Sequence, residues 1–355
     1  MAGEYTAEVV ADLHLMVRNS LSRWDLASAT TVRLINVSEN ATFALGGSHA
    51  GASHPDALHR DALHPNADLV LRVHRVGYSS AEEIRSELAW INALRGAGVI
   101  ETLTPVRGSD GEWVQRLLSP SGRPPRFAVA FERLPGREPD AGADAPRWFE
   151  RLGEVTARMH GHARSWTLPP GFTRKRWNVE AMVGDGSYWG PWRAAIGLDG
   201  GGTAVIEQAL ALVVQRLERF GAGPDHFGLV HADLRLANLL VDGAHLRIID
   251  FDDCGFSWFM YDFATAVSFI EHEPMVPDLL QAWVAGYRRV APLSADERAE
   301  IPTFVILRRI LLTAWLASHS EVPLAQQFGA AYTQGSVRLA QEFLRGRYLQ
   351  AVFHQ

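Results

Sequence analysis

The sequence has 355 residues, 47% hydrophobic and 21% charged, a balance that supplies a core and excludes a disordered or repeat-dominated chain. A net charge of −6 gives no support for a general nucleic-acid or membrane-surface binder. The single cysteine, Cys254, excludes an intrachain disulfide and a four-cysteine zinc site. Acidic residues interrupt the N-terminus and no apolar run reaches roughly 18 residues, so we expect a cytoplasmic protein.

The first part of the chain has the periodicities of a small α+β unit. Ser80 followed by Glu83 is the capping-box pattern, which marks the start of a helix. Between residues 49 and 64, histidines recur at every fifth position, a spacing that matches neither a strand face nor a helix face and favours a solvated loop over a metal site. The predicted elements are a helix over 4–19, two strands within 31–45, a strand at 68–75, a helix at 79–96 and strands at 112–118 and 127–131.

The second part of the chain is mainly helical. We place the boundary at Leu134-Pro135-Gly136, which gives an N-terminal unit of residues 1–133 and a C-terminal unit of residues 134–355. Prolines divide the final helical stretch, and we expect breaks near Pro274, Pro292, Pro302 and Pro323. The other predicted elements are helices at 148–162 and 205–220, a loop-rich aromatic stretch at 164–202, short strands within 228–253 and helices from residue 261 onward.

Standard motifs of several enzyme classes are absent from the sequence. The only lysine, Lys175, follows an arginine and not a glycine, so there is no Walker A loop. There is also no GxGxxG dinucleotide fingerprint, no GxSxG nucleophile elbow and no HExxH zinc helix. A nucleotide-independent hydrolase therefore has no visible nucleophile–base pair.

The most informative segment is LVHADLRLANLLVDGAHLRIIDFDDC, residues 229–254. An apolar strand enters a loop with His231, Asp233 and Asn238, and a tight turn leads to a second apolar strand that ends at Asp250. Kinase catalytic loops have the same intervals, H-x-D-x-x-x-x-N followed by a strand and Asp-Phe. Each residue alone is typical of an ordinary turn, but the combination predicts phosphoryl transfer.

The chemistry of these residues fits that reaction. Asp233 is placed to orient an acceptor hydroxyl and take its proton, whereas Asn238 and Asp250 offer the hard oxygen atoms that Mg²⁺ prefers. The three intact residues argue against a pseudokinase-like binding module. We therefore predict catalytic roles for His231, Asp233 and Asn238, and metal binding by Asn238, Asp250 and Asp252, with ATP as the phosphoryl donor.

This segment resembles the aminoglycoside phosphotransferase and choline kinase superfamily. The runs LRVHRVGY, SELAW and IDFDDCGFSWFMYD look most similar to the branch that contains type II homoserine kinases and bacterial stress-response Ser/Thr kinases, and the likeness extends from about Thr31 to about Phe343. The resemblance implies an α+β, bilobal protein-kinase-like fold, with a small lobe of antiparallel sheet plus one helix and a larger helical lobe. It also implies binding of ATP and Mg²⁺.

The resemblance further implies nucleotide-binding positions in the N-terminal part. Arg72 stands where the family usually has lysine, and Glu87 matches the helix glutamate that fixes it; the guanidinium is able to bind phosphate and carboxylate in a forked geometry. Asp262 is expected to cap the next helix and to brace the catalytic loop. The implied nucleotide-contacting positions are Ser38, Asn40 and Thr42 in the phosphate-covering loop, Arg72, Glu87, and Glu132 and Leu134 at the adenine hinge.

The acceptor is less well defined by the sequence. Asp262 follows Asp250 by only 12 positions, too few for the activation segment on which protein kinases dock peptides, so we predict a small-molecule hydroxyl acceptor. Glu271 and Glu273 are candidates to meet a cationic acceptor. A stress-response-type Ser/Thr protein kinase and a homoserine kinase remain as alternatives. The candidate acceptor wall is the aromatic stretch 174–193 with Trp177, Trp189 and Trp192, unless these side chains merely pack.

Overall fold

The computed structural model describes residues 5–37, 40–46, 67–140, 142, 144–320 and 322–349. Ser38 and the loop with the five-residue histidine spacing lie outside the described residues. Within the described ranges, an antiparallel sheet with two helices is followed by a mainly helical part, which confirms the predicted α+β architecture.

The N-terminal sheet has the strand order β1-β2-β3-β7-β5, with β6 also paired to β7, and every pairing is antiparallel. Alternate residues such as Phe43, Leu71 and Val73 are buried on the face that also packs Leu13 and Val17 of α1. The elements of this part are α1 (Ala7–Asn19), β1 (Thr31–Val37), β2 (Ala41–Gly46), β3 (Ala67–Val73), α2 (Ala81–Gly96), β4 (Glu101–Thr102), β5 (Pro105–Val106), β6 (Gln115–Leu117) and β7 (Arg126–Glu132).

Helix α2 begins where the sequence predicted. Ser80 Oγ accepts the Glu83 N–H and the Glu83 carboxylate accepts the Ser80 N–H, which completes the capping box. Ile84 and Leu88 of α2 are buried in the same apolar core as the C-terminal helices, whereas α1 packs in a separate core on the sheet. Helix α2 therefore bridges the two parts. The predicted boundary between an N-terminal and a C-terminal unit at residues 133 and 134 stays a prediction.

The C-terminal part is built around helices packed on two small sheets. One sheet has the order β4-β10-β9 and the other pairs β8 with β11. Helices α3 and α7 pack closely at Gly286, where a glycine is needed because a Cβ would overlap the Glu150 carbonyl. The elements are α3 (Ala145–Ser165), α4 (Val179–Val183), α5 (Gly200–Phe220), β8 (Phe227–Val230), β9 (Leu239–Asp242), β10 (His245–Ile248), β11 (Gly255–Trp258), α6 (Tyr261–Ala266), α7 (Val276–Val290), α8 (Ala295–Ser318) and α9 (Pro323–Leu344).

Helix α8 continues through Pro302, so the predicted break at this residue is wrong. A proline inside a helix costs about 3 kcal/mol. Every residue from Ile301 to Leu316 is buried, and each large apolar side chain among them contributes about 1.5–3 kcal/mol, which outweighs that cost. Among the described residues, α8 is the one helix apolar and long enough to cross a membrane, but 89% of its apolar window is buried inside the protein, as in a core helix.

Candidate active site

The loop that carries Asp233 is held from below by Asp262 of α6. The N–H groups of His231 and Ala232 donate to the Asp262 carboxylate at 3.2 and 2.8 Å, and the His160 ring lies 3.1 Å from the same carboxylate. Ala232 has a φ of +66°, a strained conformation that these bonds stabilise. Helix α6 has no side-chain cap bond, so the expected capping role of Asp262 is wrong, while its bracing of the catalytic loop is found.

His231 is fully buried beneath this loop. Its Nδ1 accepts the Asp233 N–H at 3.2 Å and its Nε2 lies 3.1 Å from the Ile249 carbonyl, an arrangement satisfied by a neutral ring with the proton on Nε2. Both ring nitrogens are therefore used in fixing the backbone, at Asp233 and just before Asp250. This geometry fits a positioning residue.

The Asp233 carboxylate is fixed on both oxygens. Oδ1 accepts from Nη2 of Arg308 at 2.7 Å, and Oδ2 accepts from Nδ2 of Asn238 at 2.6 Å. The Asn238 amide nitrogen also donates to the Asp233 carbonyl at 2.9 Å, which leaves its amide oxygen for a metal ion. Asp233 and Asn238 are thus one hydrogen-bonded unit, in which the Asp233 carboxylate orients the Asn238 amide.

Asp250 ends the hairpin with its carboxylate 41% exposed and a φ of +64°. This left-handed conformation is costly for a non-glycine residue, although aspartate tolerates it better than most. Nη1 of Arg72 lies 3.1 Å from Oδ1 of Asp250. This contact connects the N-terminal sheet to the loop that carries the predicted metal ligands Asp250 and Asp252. The turn therefore presents Asp250 toward Arg72.

Arg72 and Glu87 form a buried ion pair, with 2.5 Å between Nη2 and Oε1. Burial disfavours the charged guanidinium, but Glu87, Asp252 and Asp250 together raise the pKa of Arg72 above its ordinary value. The structure thus brings together Arg72 of β3, Glu87 of α2 and Asp250, as the sequence predicted. Thr42, half-buried, lies opposite Arg72 in the register of β2 and β3.

Asp252 contacts Asn40 of the predicted phosphate-covering loop. Nδ2 of Asn40 donates to Oδ2 of Asp252 at 2.5 Å, and the side-chain amide oxygen Oδ1 of Asn40 accepts the Arg75 N–H at 3.2 Å. Burial and the neighbouring Asp250 raise the pKa of Asp252 well above its usual range. Two crowded carboxylates of this kind are an arrangement that a bound cation relieves.

The donor set fits Mg²⁺ bound together with nucleotide phosphates. Asp250, Asp252 and the Asn238 amide supply hard oxygens, and Mg²⁺ is usually bound by one or two carboxylates plus phosphate oxygens and water. Within the described residues, no group of three His, Cys, Asp or Glu side chains forms a metal site by itself. Phosphate oxygens of a bound nucleotide would complete the coordination.

The predicted hinge residues lie at the end of β7. Glu132 is the last residue of that strand, with an exposed side chain and an N–H that donates to Thr104 O at 2.9 Å, and Leu134 is half-buried just beyond. The connection then crosses to the second part through the Arg137–Val241 bridge. The binding of adenine by these two residues stays a prediction.

The aromatic stretch is mostly interior. Trp177 and Trp192 are 0% and 1% exposed, and the Trp177 indole donates to the Asp253 carbonyl at 2.7 Å. Trp189 is 4% exposed, but its ring faces the Arg308 guanidinium at 5.2 Å, next to Asp233. Trp189 thus contacts Arg308, which donates a hydrogen bond to Asp233.

The two acidic candidates for the acceptor differ in availability. Glu271 is fully buried, pairs with Arg309 at 2.5 Å and accepts the Tyr332 hydroxyl at 3.0 Å, so it neutralises an internal cation and does not face an acceptor. The side chain of Glu273 is 45% exposed, with His272 3.4 Å away. The prediction for Glu271 is wrong because its charge is already compensated inside the helical core.

Two residues at the site were missed by sequence reasoning. Arg308 contacts Asp233 although 75 positions separate them. Lys175 lies 3.0 Å from Asp253, which also accepts the Tyr78 hydroxyl at 2.6 Å. The available signal for Arg308 was the run FVILRRILL, because charged residues inside an apolar helix are almost never buried unless they are paired.

Comparison with known proteins identifies the family. Residues 49–293 match the model of the phosphotransferase enzyme family. The chain belongs to this family. It is 40% identical to a microcompartment-associated aminopropanol kinase of known structure, with a TM-score of 0.82 over 95% of this chain and 99% of that chain.

Two further relatives agree. The amicoumacin kinase of Bacillus subtilis is 27% identical over 260 residues, which cover 70% of this chain and 73% of the relative. The amicoumacin kinase hAmiN, solved with AMP-PNP, Ca²⁺ and Ami, is 22% identical with a TM-score of 0.75, over 99% of both chains, and shows the shared fold. The protein is a small-molecule kinase of this family, which confirms the predicted fold and reaction class.

Proposed function

We propose that the acceptor is a short amino alcohol and that the chain is an ATP-dependent amino-alcohol kinase. The observation that carries the proposal is the 40% identity to the aminopropanol kinase over nearly the whole of both chains. Acceptor recognition depends on the C-terminal part, and a likeness of this extent includes that part as well as the nucleotide-binding sheet.

The residues of the site support a direct transfer. The acceptor oxygen attacks the γ-phosphorus, the bond from that phosphorus to the bridging oxygen breaks, ADP leaves, and the hydroxyl proton passes to Asp233. The cation, when bound, neutralises charge that develops on the phosphates. Asn238, Asp250 and Asp252 would hold it, and Arg72, kept in place by Glu87, would contact the phosphates.

The remaining positions have supporting roles in this proposal. His231 would keep the backbone at Asp233 in register and would not exchange a proton with substrate. Ser38, Asn40 and Thr42 would cover the phosphates, and Glu132 and Leu134 would bind adenine through the backbone. Residues 1–133 would act as the nucleotide-binding lobe and 134–355 as the acceptor-binding lobe, and we place the enzyme in the cytoplasm.

The acceptor side supports a small substrate with a cationic group. Helix α4 and the turn Trp192–Ala194 pack against α8, the helix whose Arg308 contacts Asp233, so the aromatic stretch lies near the proposed base. Asp253 lies within the field of Arg308; burial opposes ionisation, but Lys175 and Tyr78 hold the pKa of Asp253 below its usual range. Lys175 and Tyr78 both contact Oδ1 of Asp253, so Oδ2 of the ionised carboxylate would meet the ammonium of an amino alcohol.

L-Homoserine is a second candidate, favoured by the ion pair between Lys175 and Asp253. Nζ of Lys175 lies 3.0 Å from Oδ1 of Asp253 and 3.3 Å from the centre of the Tyr78 ring. Homoserine is an amino alcohol with an added carboxylate, so its two opposite charges would complement such a pair. Aminopropanol would require only the carboxylate of Asp253.

ADP release with purified protein, ATP and Mg²⁺ tests the proposal across 1-amino-2-propanol, ethanolamine, L-homoserine, an aminoglycoside and a generic protein substrate. We expect the highest kcat/KM with an unsubstituted amino alcohol. Preference for homoserine would select the second candidate, and preference for the aminoglycoside or the protein would refute both. Asp253→Asn should raise the KM for a cationic acceptor while the KM for ATP is unchanged; equal KM changes would remove Asp253 from acceptor recognition.

A further inference from the structure

Arg308 is a buried arginine whose guanidinium contacts Asp233. It is 2% exposed, on the inner face of α8. Its Nη2 reaches Asp233, its Nε lies 3.1 Å from the Ser268 hydroxyl, and its Nη1 lies 3.3 Å from the Tyr261 hydroxyl. A guanidinium has five N–H donors in a fixed plane, and these contacts determine the position of that plane.

We propose that Arg308 is a positioning residue that sets the orientation of Asp233, and that it transmits the placement of the acceptor-side stretch to the base through Trp189. This inference rests on the proposed role of Asp233 as the base. Asn238 and Nε of Arg235 hold Oδ2, at 2.6 and 3.4 Å, whereas Arg308 holds Oδ1, so loss of Arg308 leaves a carboxylate that is held at Oδ2 alone and is able to rotate. An acceptor hydroxyl then no longer meets the carboxylate oxygen at the angle that transfer requires.

A chain of contacts connects Arg308 to the N-terminal part. The Trp189 ring faces the guanidinium at 5.2 Å, the Trp189 indole lies 3.4 Å from the Tyr78 hydroxyl, and that hydroxyl donates to Asp253 at 2.6 Å. Tyr78 lies between β3 and α2, whereas Trp189 belongs to the aromatic stretch and Arg308 to α8. Three separate parts of the fold therefore converge on the orientation of one carboxylate.

The neighbouring Arg309 is a matched control. It lies on the same helix, is 1% exposed, and pairs with Glu271 at 2.5 Å, so it has the burial and ion pairing of Arg308. Its other contacts are His272, Ser336 of α9, and the carbonyl and ring of Tyr332 of α9, away from the catalytic loop. A purely structural role for Arg308 would give its variants the behaviour of Arg309 variants.

The experiment compares Arg308→Lys, Arg308→Gln and Arg309→Lys for Tm, kcat, both KM values and the ratio of acceptor phosphorylation to ATP hydrolysis by water. We expect both lysine variants to lose Tm, but Arg308→Lys also to lose about tenfold to a hundredfold in kcat and in that ratio, with the KM for ATP unchanged. Arg308→Gln should lose more. Because the two lysine variants keep a positive charge, they keep the best chance of folding.

Two results would overturn the inference: wild-type kcat in folded Arg308→Lys, or equal loss of kcat in the Arg308 and Arg309 variants. An Asp233→Asn background separates this failure from failure of the proposed function. If Asp233 is the base and Arg308 acts through it, Arg308→Lys should cause little further loss in that background. Full activity of Asp233→Asn alone would instead refute the role of the base. Trp189→Leu should lower kcat less than Arg308→Lys, and the pair should be less than additive.

Discussion

Replacement of Arg72 tests the nucleotide side of the site, because this arginine stands where the family resemblance led us to expect lysine. Arg72→Ala removes a contact to Asp250 and leaves Glu87, which is fully buried, without a partner for its charge. Breaking a buried ion pair on one side costs about 3–5 kcal/mol of stability. The single variant therefore confuses folding with function.

The double variant Arg72→Met/Glu87→Leu removes this confusion. Both charges are replaced by apolar side chains of similar volume, and such exchanges are often neutral or stabilising. We expect Tm close to wild type. Loss of one desolvated charge-assisted contact to phosphate costs about 1.5–3 kcal/mol, so the KM for ATP should rise at least about tenfold and kcat should fall.

Arg72→Lys and Glu87→Gln provide the graded steps. A lysine cannot make the forked contacts to Glu87 and Asp250 together, so Arg72→Lys should recover only part of the turnover lost in Arg72→Met/Glu87→Leu. Glu87→Gln should show a smaller defect in the same direction. Steady-state kinetics with ATP varied, together with thermal melting, measure these effects. Wild-type turnover by the folded double variant would refute the phosphate-contacting role of Arg72.

Three further predictions follow from the site. Asp233→Ala should abolish transfer while nucleotide binding, followed by calorimetry, is retained, whereas Asp250→Ala should weaken Mg²⁺-dependent ATP binding as well; retained transfer by Asp233→Ala would contradict the proposed base. Trp177→Phe should lower Tm with both KM values unchanged, because Trp177 is interior and its indole donates to the Asp253 carbonyl. Trp189→Phe should raise the acceptor KM more than the ATP KM. A raised acceptor KM in Trp177→Phe, with only a lower Tm in Trp189→Phe, would exchange their roles. Burial lowers the pKa of His160 despite its contact with Asp262, so the unfolded chain binds a proton that the folded chain does not. The free energy of unfolding, measured with urea, should therefore fall as pH drops below about 6.5. His160→Gln should reduce this dependence of stability on pH, and an unchanged dependence would contradict the prediction.

The chemical identity of the site could be predicted from the sequence because its central residues are close together in the chain. Asp233, Asn238 and Asp250 lie on one hairpin, where a tight turn at Gly243 and two short strands fix their separation whatever surrounds them. The capping box at Ser80 was predictable for the same reason, since its bonds join residues three positions apart. Local geometry of this kind depends on backbone conformation and on few other contacts.

The supporting residues were decided by tertiary structure. Arg308 reaches Asp233 only because α8 packs beside α6 and the catalytic loop, and no periodicity encodes a contact across 75 positions. Glu271 looked available to an acceptor, but Arg309 and Tyr332 from later helices neutralise it. Pro302 marked a break that the burial of α8 overrides. Trp177 and Trp192 went into the core because the tightly packed interior beside α8 accommodates them, which apolar composition alone does not distinguish from a substrate wall. The sequence by itself predicted which groups would perform the chemistry and placed them on one short segment, whereas long-range packing determined which charges compensate them and how they are oriented, because burial and pairing depend on neighbours distant in the chain.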